Sequence, residues 1–111
     1  MTNYVLISTT LPSKDTATAV ARRLVEEKLA ACVQVSGPIH STYRWEGRIE
    51  QGEEWLCTAK SLSSLFSRIE RAIGDLHPYD VPEIIATPLV DVAASYAKWL
   101  EQQVKPDSLG S

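Results

Sequence analysis

Long apolar runs, a basic field and clustered cysteines are what this 111-residue chain lacks. No stretch approaches the ~20 apolar residues that a membrane-spanning helix needs. The first residues carry no basic stretch leading into an apolar run and cleavage site. No membrane partner is therefore expected, and the chain reads as cytoplasmic. Eleven Lys and Arg are dispersed among fourteen Asp and Glu, for a formal charge of −3, so there is no positive surface to meet phosphates and nucleic acid is not expected as a partner. Cys32 and Cys57 form no CxxC spacing, which gives no zinc pattern and suits a reducing compartment. Catalytic signatures are missing as well: there is no G-x-S-x-G elbow, no H-E-x-x-H and no phosphate-cradling glycine loop. The chain reads as a binding or assembly protein and not as an enzyme. At this length a single domain, residues 1–104, buries enough surface to fold without metal or disulfide, and no cofactor is required.

What is present is an alternation of short strands and amphipathic helices. Tyr4 to Thr10 is an apolar, β-branched run ending at Pro12, consistent with a buried central strand. Ser13 can cap a helix, Asp15 suits its positive end, and Ala17, Val20, Ala21, Leu24 and Val25 keep the helical stripe to about Lys28. Ala31 to Trp45 is an interrupted strand broken at Gly37-Pro38, and Trp55 to Lys60 belongs to its hairpin partner across a Glu46-Gly47 turn, with Gly52 expected as a bulge or second bend. From Leu62, the set Leu65, Phe66, Ile69, Ala72, Ile73 and Leu76 holds one helical face until His77-Pro78, because the residue before proline avoids the α region. Val81 to Val90 holds a fourth strand bounded by Pro82 and Pro88, and Asp91 is a candidate cap for a last helix carrying Val92, Tyr96, Trp99, Leu100 and Val104. Residues 105–111 read as a flexible tail.

The order β-α-β-β-α-β plus a C-terminal helix predicts an α+β, ferredoxin-like split βαβ fold, with both central helices on one face of an antiparallel sheet. The second strand is too long for it. Fifteen residues span about 50 Å at ~3.3 Å per residue, against a diameter of about 35 Å for a globule of this size. Either the extended hairpin projects, carrying Tyr43, Trp45 and Trp55 into water, or it folds back at Gly37-Pro38. Projection leaves an aromatic patch and an unpaired edge that another copy would cover, so a homo-oligomer is expected.

Two segments concentrate aromatics, charges and backbone-constraining residues: Tyr43-Arg44-Trp45-Glu46-Gly47-Arg48-Ile49-Glu50 and His77-Pro78-Tyr79-Asp80-Val81-Pro82-Glu83-Ile84. Together with Leu29-Ala30-Ala31-Cys32-Val33 and Lys60-Ser61, they make the chain resemble, over nearly its whole length, the CutA1 divalent-cation-tolerance family. The resemblance implies a ferredoxin-like protomer in a tight homotrimer whose sheets interlock through extended hairpins, like trimeric signalling proteins of the PII type. It also implies a role in tolerance of, or response to, divalent metal ions. Members credited with a copper site are similar in having a Cys near the end of strand one and paired His before Pro-Tyr. Those positions fall here on Thr9 and Leu76, and only His77 is retained.

Candidate site residues follow from chemistry. His77 and Cys32 are the available donors for a divalent metal, with copper the candidate ion and weak binding expected from so few ligands. His77 also reads as a helix-exit residue, and both cysteines read as packed thiols. A simple register about the Glu46-Gly47 turn pairs Cys32 with Ser61 and leaves Cys57 four positions along, beyond disulfide reach, so both thiols are expected free. Tyr43, Trp45, Lys60, Tyr79 and Glu83 have the polar and aromatic mixture of an inter-subunit cleft for a small ligand. Three functions fit these features: metal-linked tolerance, a PII-like regulatory trimer binding a small anion or metabolite, and a structural or anchoring trimer with a protein partner.

Overall fold

A strand with one face under helices must alternate, and the first one does. In β1 (Tyr4–Leu11), Val5, Ile7 and Thr9 are buried, while Tyr4, Leu6 and Ser8 are half-buried. The structure, a computed structural model describing residues 3–105, sets β1 between β3 (Arg48–Leu62) and β4 (Ile85–Pro88), with β2 (Cys32–Trp45) outside β3. All three pairings are antiparallel. This is the split βαβ order expected from the sequence. Helices α1 (Lys14–Glu26) and α2 (Phe66–Leu76) pack against one another and carry their buried faces over the sheet. Ile7, Leu11, Val20, Leu24, Leu65, Ile69 and Ile73 are fully buried between these layers, each contributing roughly 1.5–3 kcal/mol by burial.

Local chemistry sets the helix ends. Ser13 Oγ accepts the Thr16 N–H at 3.1 Å and caps α1 as expected. At the other end Lys28 takes φ 59, and the N–H groups of Lys28 and Leu29 donate to Val25 and Leu24 carbonyls at 3.1 and 2.9 Å. That is a Schellman closure with lysine where glycine is usual. Helix α2 follows a single 3-10 turn, Ser63–Leu65, has no side-chain cap, and stops where His77 turns to ψ 131 before Pro78.

Three sequence expectations need correction. The strand expected over 81–90 is only Ile85–Pro88, because Pro82 offers no N–H to a ladder and the preceding segment turns aside to the hairpin. Asp91 does not cap the last helix: α3 (Ala94–Gln103) begins after Ala93 without a side-chain cap, held instead by buried Leu100 and, just beyond it, Val104. The bulge lies at Gly37-Pro38 and not at Gly52, which pairs in register with Ser41. Two residues there oppose Trp55 alone, so Cys32 faces Lys60 instead of Ser61. A one-residue shift changes the face of a strand. Cys32 consequently shares the open face with Lys60 and Leu6, while Cys57 lies buried under the helices; both thiols are free.

The hairpin does not fold back. Its tip is a two-residue turn with positive φ at Glu46 and Gly47, the type I′ geometry that matches strand twist, and beyond the bulge the ladder runs in register from Ile39 and Glu54 out to Trp45 and Arg48. The molecule measures 44 × 29 × 24 Å. Most of the expected tail, 106–111, lies outside the described residues. Lys105 is held by its N–H to the Lys28 carbonyl at 2.8 Å and by Arg68 donating to its carbonyl at 3.2 Å.

Candidate functional site

Cross-strand partners share a face, so the register of the hairpin decides which side chains meet. Counting from the turn, Trp45 pairs Arg48, Tyr43 pairs Glu50, and Ile39 pairs Glu54, which puts Tyr43, Trp45 and Glu54 on one face. Across that face runs the segment after α2. A cleft of about 500 Å³ opens between them, lined by Tyr43, Trp45, Glu54, Tyr79, Asp80 and Glu83, with Thr10, Ser41, Thr42 and Val81 completing the wall. The two motif segments therefore meet within one chain.

A hydrogen-bonded relay holds this wall. His77 Nε2 lies 2.8 Å from the Thr10 carbonyl oxygen, and its Nδ1 accepts the Tyr79 N–H at 3.2 Å. A carbonyl only accepts, so the proton sits on Nε2 and the ring is the neutral tautomer. Its ring also packs on that of Tyr79, with centroids 4.8 Å apart. Tyr79 in turn donates its hydroxyl to Glu54 Oε2 at 2.9 Å. Burial, then the neighbouring Glu54 carboxylate, pushes the Tyr79 phenol up to about 12, so it stays a donor.

Glu54 is the residue that sequence reasoning missed. It is only 8% exposed. The signal was available in the register: counting outward from the Glu46-Gly47 turn places Glu54 opposite apolar Ile39.

The remaining candidates lie elsewhere. Lys60 does not line the cleft; its Nζ donates to Gln34 Oε1 at 2.9 Å on the open face of the sheet. Cys32 is its cross-strand neighbour there. His77 sits at Thr10, four residues along β1 from the Leu6 row that Cys32 occupies, about 13 Å by strand rise alone. One chain thus does not bring Cys32 and His77 together, and among the described residues no three His, Cys, Asp or Glu side chains converge as a metal site.

Comparison with known proteins gives this geometry a lineage. The family model described as CutA1 divalent ion tolerance protein matches residues 5–103. The chain belongs to the CutA1 family. The divalent-cation tolerance protein CutA of Thermus thermophilus is 39% identical over 102 residues, covering 92% of this chain and 97% of that protein. Its solved structure superposes with a TM-score of 0.87 at 37% identity, covering 95% of this chain and all of that one. Mouse Protein CutA is 39% identical over 93 residues, 84% of this chain but 52% of its own length, so this CutA1-family chain spans about half of that relative. A CutA structure from Archaeoglobus fulgidus, described as a periplasmic divalent cation tolerance protein, gives a TM-score of 0.87 at 35% identity, covering 95% and 100% of the two chains.

Proposed function

We propose that this protein works as a homotrimer in tolerance of divalent metal, copper foremost, as a weak binder and not as an enzyme. The observation that carries the assembly is the projecting hairpin with its exposed apolar tip: Trp45 and Ile49 are 45% and 66% exposed. Both outer strands, β2 and β4, also leave one edge unpaired in the single chain, which proteins cover or blunt. Tyr96 and Trp99, packed on each other with centroids 5.3 Å apart, add further exposed aromatic surface. Light scattering at micromolar concentration tests the assembly, with about three times 12.3 kDa expected and a monodisperse single chain refuting it.

The metal reading rests on family membership and on the donors His77 and Cys32. Both nitrogens of His77 are engaged, so a copper ion must displace one hydrogen bond to bind there, which fits weak and pH-sensitive binding as metal and proton compete for one lone pair. Calorimetric titration of copper into wild type and His77→Ala decides it. Equal binding by both eliminates His77 as a ligand. We place the protein in a reducing compartment, which its two free thiols suit.

A second reading is favoured by a separate observation, the cleft. A PII-like regulatory module would hold a small ligand between the hairpin and the Tyr79 to Glu83 segment, where a braced aromatic and polar wall already exists.

A further inference from the structure

Basic side chains that are dispersed along the sequence meet at one place in the fold. Where α1 packs on α2, a recess of about 130 Å³ is lined by Arg23, Glu27 and Leu29 on one side and by Arg68, Arg71 and Ala72 on the other. Leu29 and Ala72 are buried and give it an apolar floor. Its walls are charged. Lys28 and Lys105 join the same corner, because the Lys105 N–H donates to the Lys28 carbonyl at 2.8 Å.

The charges around this recess are unequally matched. Arg23 is neutralised within the chain, donating to Glu27 at 2.8 Å and to Asp75 at 3.0 Å, so both neighbouring carboxylates are taken. Arg68 donates to a neutral acceptor, the Lys105 carbonyl, at 3.2 Å. Among the described residues Arg71 makes no ion pair. Arg68 and Arg71 are one turn apart on α2, so their side chains leave the same face. Two guanidinium groups with donors to spare therefore confront one recess, and an anion placed between them relieves their repulsion.

This corner is separate from the surfaces that call for a second copy. Those are the aromatic hairpin tip, the aromatic pair on α3 and the unpaired edges of β2 and β4. The recess lies in the helical layer, across the sheet from its open face, and none of the exposed large hydrophobic residues lines it.

The kind of anion follows from the donors and the space. A flat carboxylate has two oxygens and satisfies one guanidinium fork, whereas a tetrahedral oxyanion offers oxygens to two forks at once. A volume near 130 Å³ equals the share of roughly four liquid waters, which admits a phosphate group and excludes a whole nucleotide.

We propose that the recess between α1 and α2 binds a phosphate group, held by Arg68 and Arg71 with Arg23 as the third wall. The inference goes beyond both readings above and depends on neither, since the recess shares no residue with the acidic cleft or with the copper donors.

The test is an NMR titration of the full, assembled chain with inorganic phosphate at fixed ionic strength, following backbone amides and arginine Nε–H signals. Saturable shifts should appear at Leu29, Arg68, Arg71 and Ala72. Arg71→Gln, at an exposed position, should weaken binding by about tenfold, the scale of a charge-assisted contact, and Arg71→Lys should recover only part of it, keeping the charge but losing the fork. If Arg71→Gln does not fold, Arg68→Gln carries the same expectation. A second titration with glycerol phosphate separates the sources: tighter binding than inorganic phosphate assigns the site to a phosphomonoester, and equal or weaker binding assigns it to the free ion. Shifts that never saturate, or that scatter over basic residues elsewhere, overturn the proposal. So does equal affinity in wild type and both glutamine variants. Phosphate binding that appears only in Asp107→Asn overturns it as well, because the occupant is then a carboxylate of the chain itself. A fall in assembled mass on Arg71→Gln, read by light scattering, makes the recess a subunit contact and overturns the phosphate site.

Discussion

Gly37→Ala is the sharpest probe of how the hairpin is built. A Cβ placed on Gly37 would lie 2.6 Å from Trp55 Cε3, 2.8 Å from Cδ2 and 3.1 Å from the Glu54 carbonyl oxygen. Carbon contacts are optimal near 3.5–4.0 Å, so the indole or the β2 backbone must retreat by about 1 Å. Neither moves freely. Trp55 packs against the core cluster, and Gly37 is one of two residues bulged against it between ladders that run in register on both sides. Forcing an extra methyl into such a contact costs about 1–3 kcal/mol. The assay is urea unfolding followed by tryptophan fluorescence, at one fixed protein concentration because assembly contributes to apparent stability. Gly37→Ala should lower the midpoint, and Trp55→Leu should be destabilising on its own. If the clash is with the indole, the double variant should be less destabilised than the sum, with a coupling of about 0.5–3 kcal/mol. Strict additivity would show that the methyl is felt elsewhere, and an unchanged midpoint in the single variant would refute the close approach altogether.

Other expectations are simpler to check. The Thr9 hydroxyl is buried without a hydrogen-bond partner, in a residue 1% exposed, so Thr9→Val should raise the urea midpoint, by about 1–2 kcal/mol in stability; a lowered midpoint would mean that a buried water satisfies the hydroxyl. Burial pushes the Cys57 thiol up to about 11, so Cys57 should resist alkylation in the folded protein and react only in denaturant; rapid labelling of Cys57 under native conditions would contradict its packing. Tyr79, raised from 10.0 to about 12, keeps in the folded state a proton that the unfolded chain releases. Its contribution is therefore full below pH 10 and lost between pH 10 and about 12. Tyr79→Phe should flatten that alkaline loss relative to wild type, and an identical pH dependence would dissociate Tyr79 from Glu54.

Elements written by short-range chemistry were legible in the sequence. Ser13 announces α1, the stripe from Leu65 to Leu76 announces α2, His77-Pro78 ends it, and Glu46-Gly47 turns the hairpin, because each signal acts within a few residues. Asp91 and the strand over 81–90 misled for the opposite reason. A carboxylate that can cap a helix does so only where tertiary packing starts one, and here the anchoring side chains, Leu100 and Val104, let α3 begin later. The β-rich run from Val81 was recruited in part by another neighbour, the hairpin, through Tyr79 and Glu54.

The site was half legible, and the dividing line is the bulge. Between the turn and Ile39 the ladder follows simple counting, so the meeting of Tyr43, Trp45 and Glu54 on one face follows from Trp45 pairing with Arg48. Past Gly37-Pro38 the same count is wrong by one, and with period-two side chains an error of one reverses the face. Cys32 thereby moves onto the open sheet face with Lys60, the same face of β3 that carries Glu54 nearer the tip, and remains distant from His77. The single insertion at Gly37-Pro38 thus aligns two surfaces on one face of a continuous hairpin, set apart only along its length: an acidic, aromatic cleft toward the tip and a thiol with its lysine neighbour at the base. A substitution that removes the bulge and slips the register should therefore disturb both surfaces at once, whereas changes at Glu54 or at Cys32 should act on one and spare the other.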